Sequence, residues 1–444
     1  MQAVTLIEAP WREPLDALAG LADEPWTLAF ISGQGQPWSY VMAGPDAVLE
    51  CADDDPRDPF LTLTELAGET VPIDPSGPPF QGGVAGLAGY ELGDRVERLG
   101  LPRSGSWPDL ACARYPALLA FDHKRQRLFA VGRGREAASR ALDWLARPAQ
   151  PAAAPRADIL ADDPDADEAA VAQVVERIRA GEIFQANIAR RWRGRLGSGA
   201  RPFDLMARLT ALSPAPFAAY LRLPGRAVVS NSPERFVSVT PDAEGFAART
   251  QPIKGTAPRS RDPGQDRELA AALLTSPKDR AENLMIVDLM RNDLSRVCTP
   301  GQVKTPELFK VASFANVHHL VSTVTGRLAP GCAAADLFRA AFPPGSITGA
   351  PKVQAMKVIA QLEGARGPFF GSMFHLGLDG AFDSSVLIRT AAFVEDAEGW
   401  ALEMRAGAGI VADSDPASER RETETKVAAL LVALTSENAG VSVP

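Results

Sequence analysis

Two pairs of acidic residues have the spacing that places both members on one face of a helix. Asp279 precedes Glu282 by three residues, and Glu419 precedes Glu422 by the same interval. Residues three apart are neighbours on a helix surface. If the two pairs met in a cleft, their carboxylates would supply the hard oxygen ligands that Mg²⁺ prefers. Solvated helix faces, with acids favoured in the first turn by the helix dipole, are the alternative.

A lysine and a glutamate lie in two short segments suited to nucleophilic and acid–base chemistry. Lys254 stands between an apolar residue and a glycine in PIKGT, and Glu234 lies in SPERF. A partly buried lysine gives up its proton more easily, and its free amine is a good nucleophile. A buried glutamate keeps its proton and can serve as the matching acid. Either residue alone could instead be an ordinary surface charge.

Two segments rich in small residues are suited to binding an anion through the backbone. One is RAGAGIVADSDP, in which Gly407, Ala408 and Gly409 follow one another. The other is GSITGAPK, which ends at Lys352 and precedes an apolar helix. Residues this small leave backbone N–H groups open to an anion. Tight turns are the alternative for both segments.

An arginine and a histidine lie in runs that are otherwise apolar. Arg389 ends the run SSVLIR, where a solvated arginine is unexpected, and His319 lies in VHHLVST. A guanidinium in such a place would suit a carboxylate, which it can hold through two parallel hydrogen bonds. A buried structural ion pair for Arg389 and a hydrogen-bonded core position for His319 are the alternatives.

Long helices and long strands must position these residues. Helical spacing of apolar residues predicts helices from residue 165 to about 181, over 279–294 and over 418–434. Strands are predicted for 183–196 and, on both sides of a turn, within 228–239. Because these elements do not alternate strictly as βαβ units, we expect an α+β fold with a large antiparallel sheet.

The best candidate for a linker is the stretch 147–166, which is rich in Ala, Pro and Asp. It separates an N-terminal region, 1–146, from a longer C-terminal domain, 167–440. The N-terminal region is rich in Pro and Gly, and its short apolar runs are typical of strands between turns.

Composition limits the class of protein. Hydrophobic residues make up 46% of the 444, which is enough for a large core, and the formal net charge is −9. A net negative surface argues against nucleic acid as the main partner. The four cysteines are widely spaced, and neither a signal peptide nor a membrane-spanning apolar run is recognisable. We therefore expect a soluble cytoplasmic protein that binds neither nucleic acid nor membranes.

Seven segments resemble those of one family, the chorismate-utilising enzymes. They follow the family's order between Ser232 and Lys426, and they are SPERF, PIKGT, RAENLMIVDLMRNDLSRVC, VHHLVSTV, GSITGAPK, SSVLIRT and GAGIVADSDP. IFQANIARR extends the resemblance towards the N-terminus. It implies an α+β fold with two lobes of layered antiparallel sheets and flanking helices. It also implies that region 1–146 packs into this fold and that 167–440 is the chorismate-binding catalytic domain.

The resemblance implies catalytic and metal-binding roles for the acids. Glu282 and Glu422 would bind Mg²⁺, with Asp279 and Glu419 behind them, and Glu234 would be the acid that helps the 4-hydroxyl leave. His319 would lie beside the substrate ring. The residues expected to bind substrate are Arg389, Gly407, Ala408, Gly409, Thr348, Lys352 and Gln185.

Two positions indicate which reaction of the family to expect. Members that add water have a lysine base where this chain has Gln185, so water addition is disfavoured. Members that form anthranilate typically read PIAGT, whereas this chain has Lys254, like members whose lysine attacks C2 of chorismate. The resemblance therefore implies the conversion of chorismate and ammonia to 4-amino-4-deoxychorismate, in the synthesis of 4-aminobenzoate and folate.

The source of ammonia is expected to be another protein. None of the cysteines lies in a nucleophile turn of the GxCxG kind, so we expect a separate glutamine amidotransferase subunit to supply ammonia. Anthranilate formation and a non-catalytic relative that only binds chorismate are the alternative functions.

Overall fold

The computed structural model of the protein describes residues 3–33, 36–150, 152–313 and 317–435. The strands in these residues are β1 (Val4–Ala9), β2 (Leu28–Ile31), β3 (Trp38–Met42), β4 (Ala47–Cys51), β5 (Gly83–Ala88), β6 (Leu110–Tyr115), β7 (Ala117–Asp122), β8 (Arg127–Arg133), β9 (Ala157–Ala161), β10 (Gln185–Leu196), β11 (Phe217–Leu223), β12 (Arg226–Ser232), β13 (Arg235–Asp242), β14 (Gly245–Thr250), β15 (Ile253–Pro258), β16 (Lys304–Ser313), β17 (Val317–Arg327), β18 (Gly349–Ala350), β19 (Ser372–Gly377), β20 (Phe382–Val386), β21 (Thr390–Asp396) and β22 (Gly399–Ile410). The α-helices are α1 (Pro14–Ala19), α2 (Pro59–Ala67), α3 (Asp94–Glu97), α4 (Arg135–Asp143), α5 (Pro164–Arg179), α6 (Pro202–Leu212), α7 (Pro263–Thr275), α8 (Pro277–Ser295), α9 (Ala334–Ala341), α10 (Lys352–Leu362) and α11 (Pro416–Thr435). Short 3₁₀ helices cover Tyr90–Gly93, Trp144–Ala146 and Gly345–Ile347.

The strands form two antiparallel sheets. The first sheet has the order β1-β8-β7-β3-β2-β11-β12-β21-β22-β10-β18, with β9 also paired to β10. The second has the order β15-β17-β14-β13-β20-β19-β5-β6-β4, with β16 also paired to β17. Apolar side chains from both sheets, among them Leu28, Tyr40, Leu87 and Leu221, form a common buried cluster. The expected α+β fold of layered antiparallel sheets with flanking helices is confirmed.

The N-terminal region contributes strands to both sheets. β2 pairs with β11 in the first sheet, and β5 pairs with β19 in the second. The stretch expected to be a linker, 147–166, contains β9, which pairs with β10, and the start of α5. The division of the chain at this stretch stays a prediction, and residues 436–440 of the expected C-terminal domain lie outside the described residues.

The elements predicted from periodicity form where they were expected. The three predicted helices correspond to α5, α8 and α11, and the predicted strands correspond to β10, β12 and β13. α5 buries Val171, Val174 and Val175, the apolar residues whose spacing predicted it, against β10 and α10. Among the described helices, none is both long and apolar enough to cross a membrane.

Candidate active site

The chain crosses from one sheet to the other at two adjacent points, and a candidate residue lies at each. Glu234 is in the two-residue connection between β12 of the first sheet and β13 of the second. Arg389 is in the three-residue connection that leads back from β20 to β21. The N–H of Val386 donates to the carbonyl of Glu234 at 3.1 Å. The sheet crossings therefore bring an acid and an arginine, 155 residues apart in the numbering, to one place.

Glu234 is a buried carboxyl with one hydroxyl partner. The Ser346 hydroxyl donates to Oε1 of Glu234 at 2.8 Å. Burial raises the pKa of Glu234 to about 7, against the opposing effects of the Ser346 hydrogen bond and the positive charges of Lys254 and Lys426. Near neutral pH an appreciable share of Glu234 is thus protonated, as a general acid must be.

Lys254 lies in a bulge at the start of β15. Ile253 is opposite Val321 of β17, and Thr256 is opposite His319, so two residues of β15 face one of β17 between these pairs. Bulges of this kind re-aim side chains near sheet edges. Gly255 completes the bulge with a φ of 83°, and a Cβ there would lie 2.8 Å from a carboxylate oxygen of Asp279. Glycine is therefore required at position 255, beside Lys254, because of the positive φ and because a Cβ would be too close to Asp279.

Two helices begin at the site with the same local chemistry. The Ser276 hydroxyl caps α8 by accepting from the N–H of Asp279 at 3.3 Å, and Asp415 caps α11 by accepting from the N–H of Ser418 at 2.9 Å. A proline follows each cap, at the first helical position, where its missing N–H costs nothing. The first acid of each pair, Asp279 or Glu419, lies in the first turn, where the helix dipole favours negative charge, and the second acid follows one turn later.

Lysines and glutamates alternate around these helix ends. Nζ of Lys254 lies 3.9 Å from Glu282, and Nζ of Lys278 lies at the same distance from its other oxygen. Glu422 pairs with Lys426 at 2.5 Å. Burial acts to raise the pKa of Glu422, but Lys426, Lys254 and Lys278 outweigh it and lower that pKa. We call these five residues, Lys254, Lys278, Glu282, Glu422 and Lys426, the charged wall.

The donor chemistry of the charged wall fits a hard divalent cation. Glu282 and Glu422 supply carboxylate oxygens, and each now faces an ammonium group, so positive charge is already accommodated there. Behind them, Asp279 packs against Gly255, and Glu419 accepts from the Ser414 hydroxyl at 2.7 Å. No three His, Cys, Asp or Glu side chains of the described chain are grouped as a metal site. Mg²⁺ often uses only one or two protein carboxylates and completes its shell with water and substrate oxygens.

Arg389 is held by one hydrogen bond and has further N–H groups to offer. It adopts a positive φ of 54°, and one guanidinium nitrogen donates to the carbonyl of Lys426 at 2.6 Å. Burial lowers the pKa of Arg389 to about 10, with Glu422 acting in the opposite direction. No second hydrogen bond of this guanidinium is found within the described chain. A carboxylate ligand would supply both the missing acceptors and a counter-charge.

The expected backbone anion site lies on an edge of β22. β21 pairs with β22 only as far as Thr390 opposite Arg405, so the next residues of β22 are open on that side. Lys426 donates to the carbonyl of Gly407 at 2.8 Å. The N–H of Ala189, opposite Gly407 in β10, is directed away to Glu363. Because a strand residue points its N–H and C=O to the same side, the N–H groups of Gly407 and, two residues on, Gly409 face the open edge.

Uncharged polar side chains from β10 and from the residue before β18 lie beside β22. Gln185 and Thr348 are fully buried, and Asn187 is 5% exposed. A Cβ at Gly409 would lie 2.8 Å from Nζ of Lys254 and 3.1 Å from Nε2 of Gln185. We call Gln185, Asn187, Thr348, Gly407 and Gly409 the amide wall. The two walls meet at Lys254, which faces Glu282 on one side and Gly409 on the other.

His319 joins the site as a neutral imidazole. Its Nδ1 lies 3.0 Å from the hydroxyl of Thr256 on the neighbouring strand. Burial lowers the pKa of His319 to about 4, and the positive charge of Arg389 acts in the same direction. At neutral pH the ring can therefore accept or donate a hydrogen bond, but it does not carry the proton of an imidazolium.

Lys352 is not brought together with the other predicted residues. Its ammonium donates to Asp293 and to the carbonyl of Ala341, both at 2.6 Å. Asp293 lies eleven residues beyond Glu282 on α8, roughly 16 Å along the helix axis. The described geometry thus gives Lys352 a buried structural ion pair, and its role in substrate binding stays a prediction that this geometry does not favour.

Five residues that sequence reasoning did not select contribute to the site. Lys278 and Lys426 each stand four residues from a selected glutamate, a spacing usually taken for a surface pair. Ser346 and Asn187 lie inside segments that were selected, so their positions carried a signal. Arg366 pairs locally with Glu363, but its bonds to the carbonyls of Ile347 and Asn187, which connect it to the amide wall, join distant segments and gave no local signal.

Comparisons with known proteins agree on one family. The family described as chorismate binding enzyme matches residues 27–432. The chain is 38% identical to aminodeoxychorismate synthase component 1 of Salmonella typhimurium, over 96% of this chain and 97% of that protein. It is 40% identical to anthranilate synthase component 1 of Streptomyces coelicolor, over 91% of this chain and 82% of that protein.

A solved structure gives the same result for the fold. The crystal structure of anthranilate synthase component I from Streptococcus pneumoniae superposes with a TM-score of 0.79 at 27% identity. The match covers 90% of this chain and 93% of that one. The resemblance first recognised in short segments therefore extends over nearly the whole chain.

Proposed function

This chain belongs to the chorismate-binding enzymes, and we propose that within this family it aminates chorismate at C4, as an aminodeoxychorismate synthase component 1. The observation that carries the proposal is the position of Lys254. Its amine lies where the two walls meet, beside Glu282 and over Gly409, with a side chain only 15% exposed. Relatives that share this name align over nearly the full length of the chain.

The first half of the reaction uses Lys254 as nucleophile. The free amine forms a bond to C2 of chorismate, the two ring double bonds shift, and the C4–oxygen bond breaks. Glu234 gives its proton to the departing hydroxyl, which leaves as water. A carboxyl with a pKa of about 7 can hold this proton near neutral pH. The product of this half is a lysine adduct with the ring's diene displaced.

The second half restores the diene with nitrogen at C4. Ammonia forms a bond to C4, the double bonds shift back, and the bond between C2 and the lysine nitrogen breaks. The new group at C4 is an ammonium, and Lys254 leaves as the neutral amine, ready for another turnover. Charge and protons balance because the lysine nitrogen became positively charged when it bonded to C2 and keeps both protons in the adduct. Glu234 takes a proton from solvent before the next turnover.

Two sets of hydrogen-bond donors would bind the carboxylates of chorismate. Arg389 has N–H groups to spare beside the site, and the backbone N–H groups of Gly407 and Gly409 face the open edge of β22. Mg²⁺ would be held by Glu282 and Glu422, with Asp279 and Glu419 behind them. When bound, it would supply positive charge to neutralise a substrate carboxylate.

Ammonia, pathway and compartment complete the proposal. A glutamine amidotransferase subunit would provide ammonia, and the product would enter 4-aminobenzoate and folate synthesis. The cytoplasm is the proposed compartment, because the four cysteines, Cys51, Cys112, Cys298 and Cys332, are all free thiols.

Formation of anthranilate is the second candidate, because relatives with that activity in their names are equally similar. The test is to incubate the purified chain with chorismate, Mg²⁺ and an ammonium salt, and to identify the product by chromatography and mass. We expect 4-amino-4-deoxychorismate. If anthranilate is the main product, the chain is an anthranilate-forming enzyme and C4 amination is wrong. If chorismate stays unchanged with and without an added amidotransferase, a non-catalytic role is favoured.

A further inference from the structure

Three side-chain polar atoms of the amide wall are buried without a partner. Both amide atoms of Gln185 and Oδ1 of Asn187 make no hydrogen bond to any described residue. Gln185 is fully buried and Asn187 is 5% exposed. A buried polar atom that stays unpaired costs roughly 1–3 kcal/mol. Two such amides side by side therefore indicate a bound molecule that pairs with them during function.

The two amides project into the site from one face of β10. Residues two apart in a strand point to the same side. The alternate residues, Ala186 and Ile188, point the other way into an apolar cluster with α5 and α10. A Cβ at Gly407 would lie 2.2 Å from Oδ1 of Asn187, so only glycine leaves room for this amide. Gly409 does the same for Gln185 and Lys254, so all three polar groups lie over one strand.

The position of Asn187 is fixed by the backbone around it. Its N–H donates to the carbonyl of Thr348 at 2.7 Å, and its carbonyl accepts from Arg366 at 2.7 Å. Arg366 is 2% exposed, and its guanidinium lies 4.6 Å from the ring centres of Tyr90 and Phe370. It also donates to the carbonyl of Ile347 at 3.0 Å. The backbone that carries the unpaired amide is thus held in place before any ligand arrives.

The two unpaired amide oxygens select for a small N–H donor, whereas Nε2 of Gln185, the third unpaired atom, is a donor that can pair with an oxygen of chorismate. The unpaired oxygens of Gln185 and Asn187 accept hydrogen bonds and carry no formal charge. Chorismate offers only its 4-hydroxyl as a neutral donor, and its carboxylates are acceptors that suit Arg389 and the open edge of β22. Ammonia has three N–H groups and a lone pair, so it can donate to both amides and still direct the lone pair at the ring.

We propose that Gln185 and Asn187 form the site that holds the attacking ammonia, an inference that rests on the proposed function. Ammonia donates to Oε1 of Gln185 and Oδ1 of Asn187, beside Lys254. Its nitrogen then bonds to C4 while the bond between C2 and the Lys254 nitrogen breaks. Asn187 acts in this second half alone and takes no part in adduct formation.

The test separates the two half-reactions. The enzyme is first loaded with chorismate and Mg²⁺ without ammonia, then mixed rapidly with an ammonium salt, and loss of the Lys254 adduct is followed by intact mass. Asn187→Leu keeps the size of the side chain and removes its oxygen. We expect this variant to form the adduct at the wild-type rate and to discharge it roughly 10-fold more slowly at low ammonium, as for one lost hydrogen bond.

Two further variants guard the interpretation. Asn231→Leu also removes a buried amide with an unpaired oxygen, on β12, where its nitrogen donates to the carbonyl of Ser213. It should leave adduct discharge unchanged. Gln185→Met provides the same measurement as Asn187→Leu if the latter does not fold, and slower discharge with normal loading is expected again.

Every outcome decides the proposal. Normal discharge in both amide variants would overturn it, as would slower adduct formation with normal discharge, which would assign the amides to chorismate. If wild-type enzyme forms neither adduct nor aminated product, the proposed function fails and the ammonia site falls with it. If wild-type enzyme is active and both amide variants discharge the adduct at the wild-type rate, the proposed function stands and only the ammonia site is rejected.

Discussion

The charged wall and the amide wall meet at the same lysine but differ in exposure and in charge. In the charged wall every member is a lysine or a glutamate, and the exposed fraction of the side chain ranges from 15% for Lys254 to 69% for Lys278. In the amide wall the side chains are buried and none is charged. Charge is expensive to bury, so the fold places it at helix ends that reach solvent and keeps the interior side neutral.

The difference also separates two tasks. In the proposed function, Mg²⁺ at the helix ends would replace lysine ammonium groups as the counter-charge of Glu282 and Glu422. The amide wall is fixed from behind by the buried Arg366 and has little freedom to adjust. We therefore expect substitutions in the charged wall to have the largest effects on the reaction rate, and substitutions away from the reacting atoms to change the rate or its pH dependence by smaller amounts.

Removal of the amine at the meeting point should have the largest effect. Lys254→Ala closes the covalent route, so formation of 4-amino-4-deoxychorismate should fall by about 10³-fold or more, as when other enzymes lose a nucleophile. The sequence then reads PIAGT, and a slow formation of anthranilate is the expected gain. Product analysis measures both. A wild-type rate in this variant would reduce Lys254 to a structural or electrostatic residue.

Loss of one metal-binding charge should have the next largest effect. Glu282→Gln keeps the shape and removes a charge, and we expect activity at limiting Mg²⁺ to fall by about 100-fold, with partial recovery at high Mg²⁺. Asp288→Asn, an exposed acid on the same helix that pairs with Arg291, is the matched control. Equal activity of the two variants across a Mg²⁺ titration would remove Glu282 from the proposed site.

Arg389 tests whether geometry matters as well as charge. Arg389→Lys keeps the positive charge and loses the fork that binds a carboxylate through two bonds. We expect kcat/KM for chorismate to fall roughly 10- to 100-fold, whereas Arg421→Lys on the exposed face of α11 should be neutral. Steady-state kinetics with wild-type values for Arg389→Lys would show that this arginine serves the fold only.

The pH profile should report on Glu234. In the proposed mechanism the protonated carboxyl is the active form, so kcat/KM should decrease as the pH rises through about 7. The Ser346 hydrogen bond stabilises the ionised carboxylate, so Ser346→Ala should raise the pKa and move this limb to higher pH, by about half a unit to one unit. If the decrease of kcat/KM at high pH occurs at the same pH in Ser346→Ala and wild-type enzyme, the ionising group is not Glu234.

Lys352 lies outside both walls and should have the smallest effect on the reaction. Lys352→Met leaves the buried Asp293 without its partner, so the free energy of unfolding should drop by about 3 kcal/mol. Lys357→Met, an exposed lysine of the same helix, is the control. Denaturant unfolding and the KM for chorismate separate the possibilities: a raised KM without lost stability would restore Lys352 to the substrate site.

The sequence was informative where structure is local. The acidic pairs were predicted from spacing, because a helix fixes which residues share a face, and α8 and α11 formed as expected. The apposition of Glu234 and Arg389 was not derivable this way, because it depends on where the chain changes sheets. For Lys352 the sequence predicts an anion site after a glycine-rich turn, and its pairing with Asp293 could not be foreseen because Asp293 comes from another helix.

The most direct test of C4 amination through Lys254 is the intact mass of the protein after exposure to chorismate and Mg²⁺ without ammonia. We predict an increase equal to chorismate less one water, located on Lys254 by peptide mapping, absent in Lys254→Ala and lost when ammonium is added with release of 4-amino-4-deoxychorismate. If wild-type enzyme makes this product but no adduct forms on Lys254 at any time, ammonia attacks without the lysine, and the proposed mechanism is wrong.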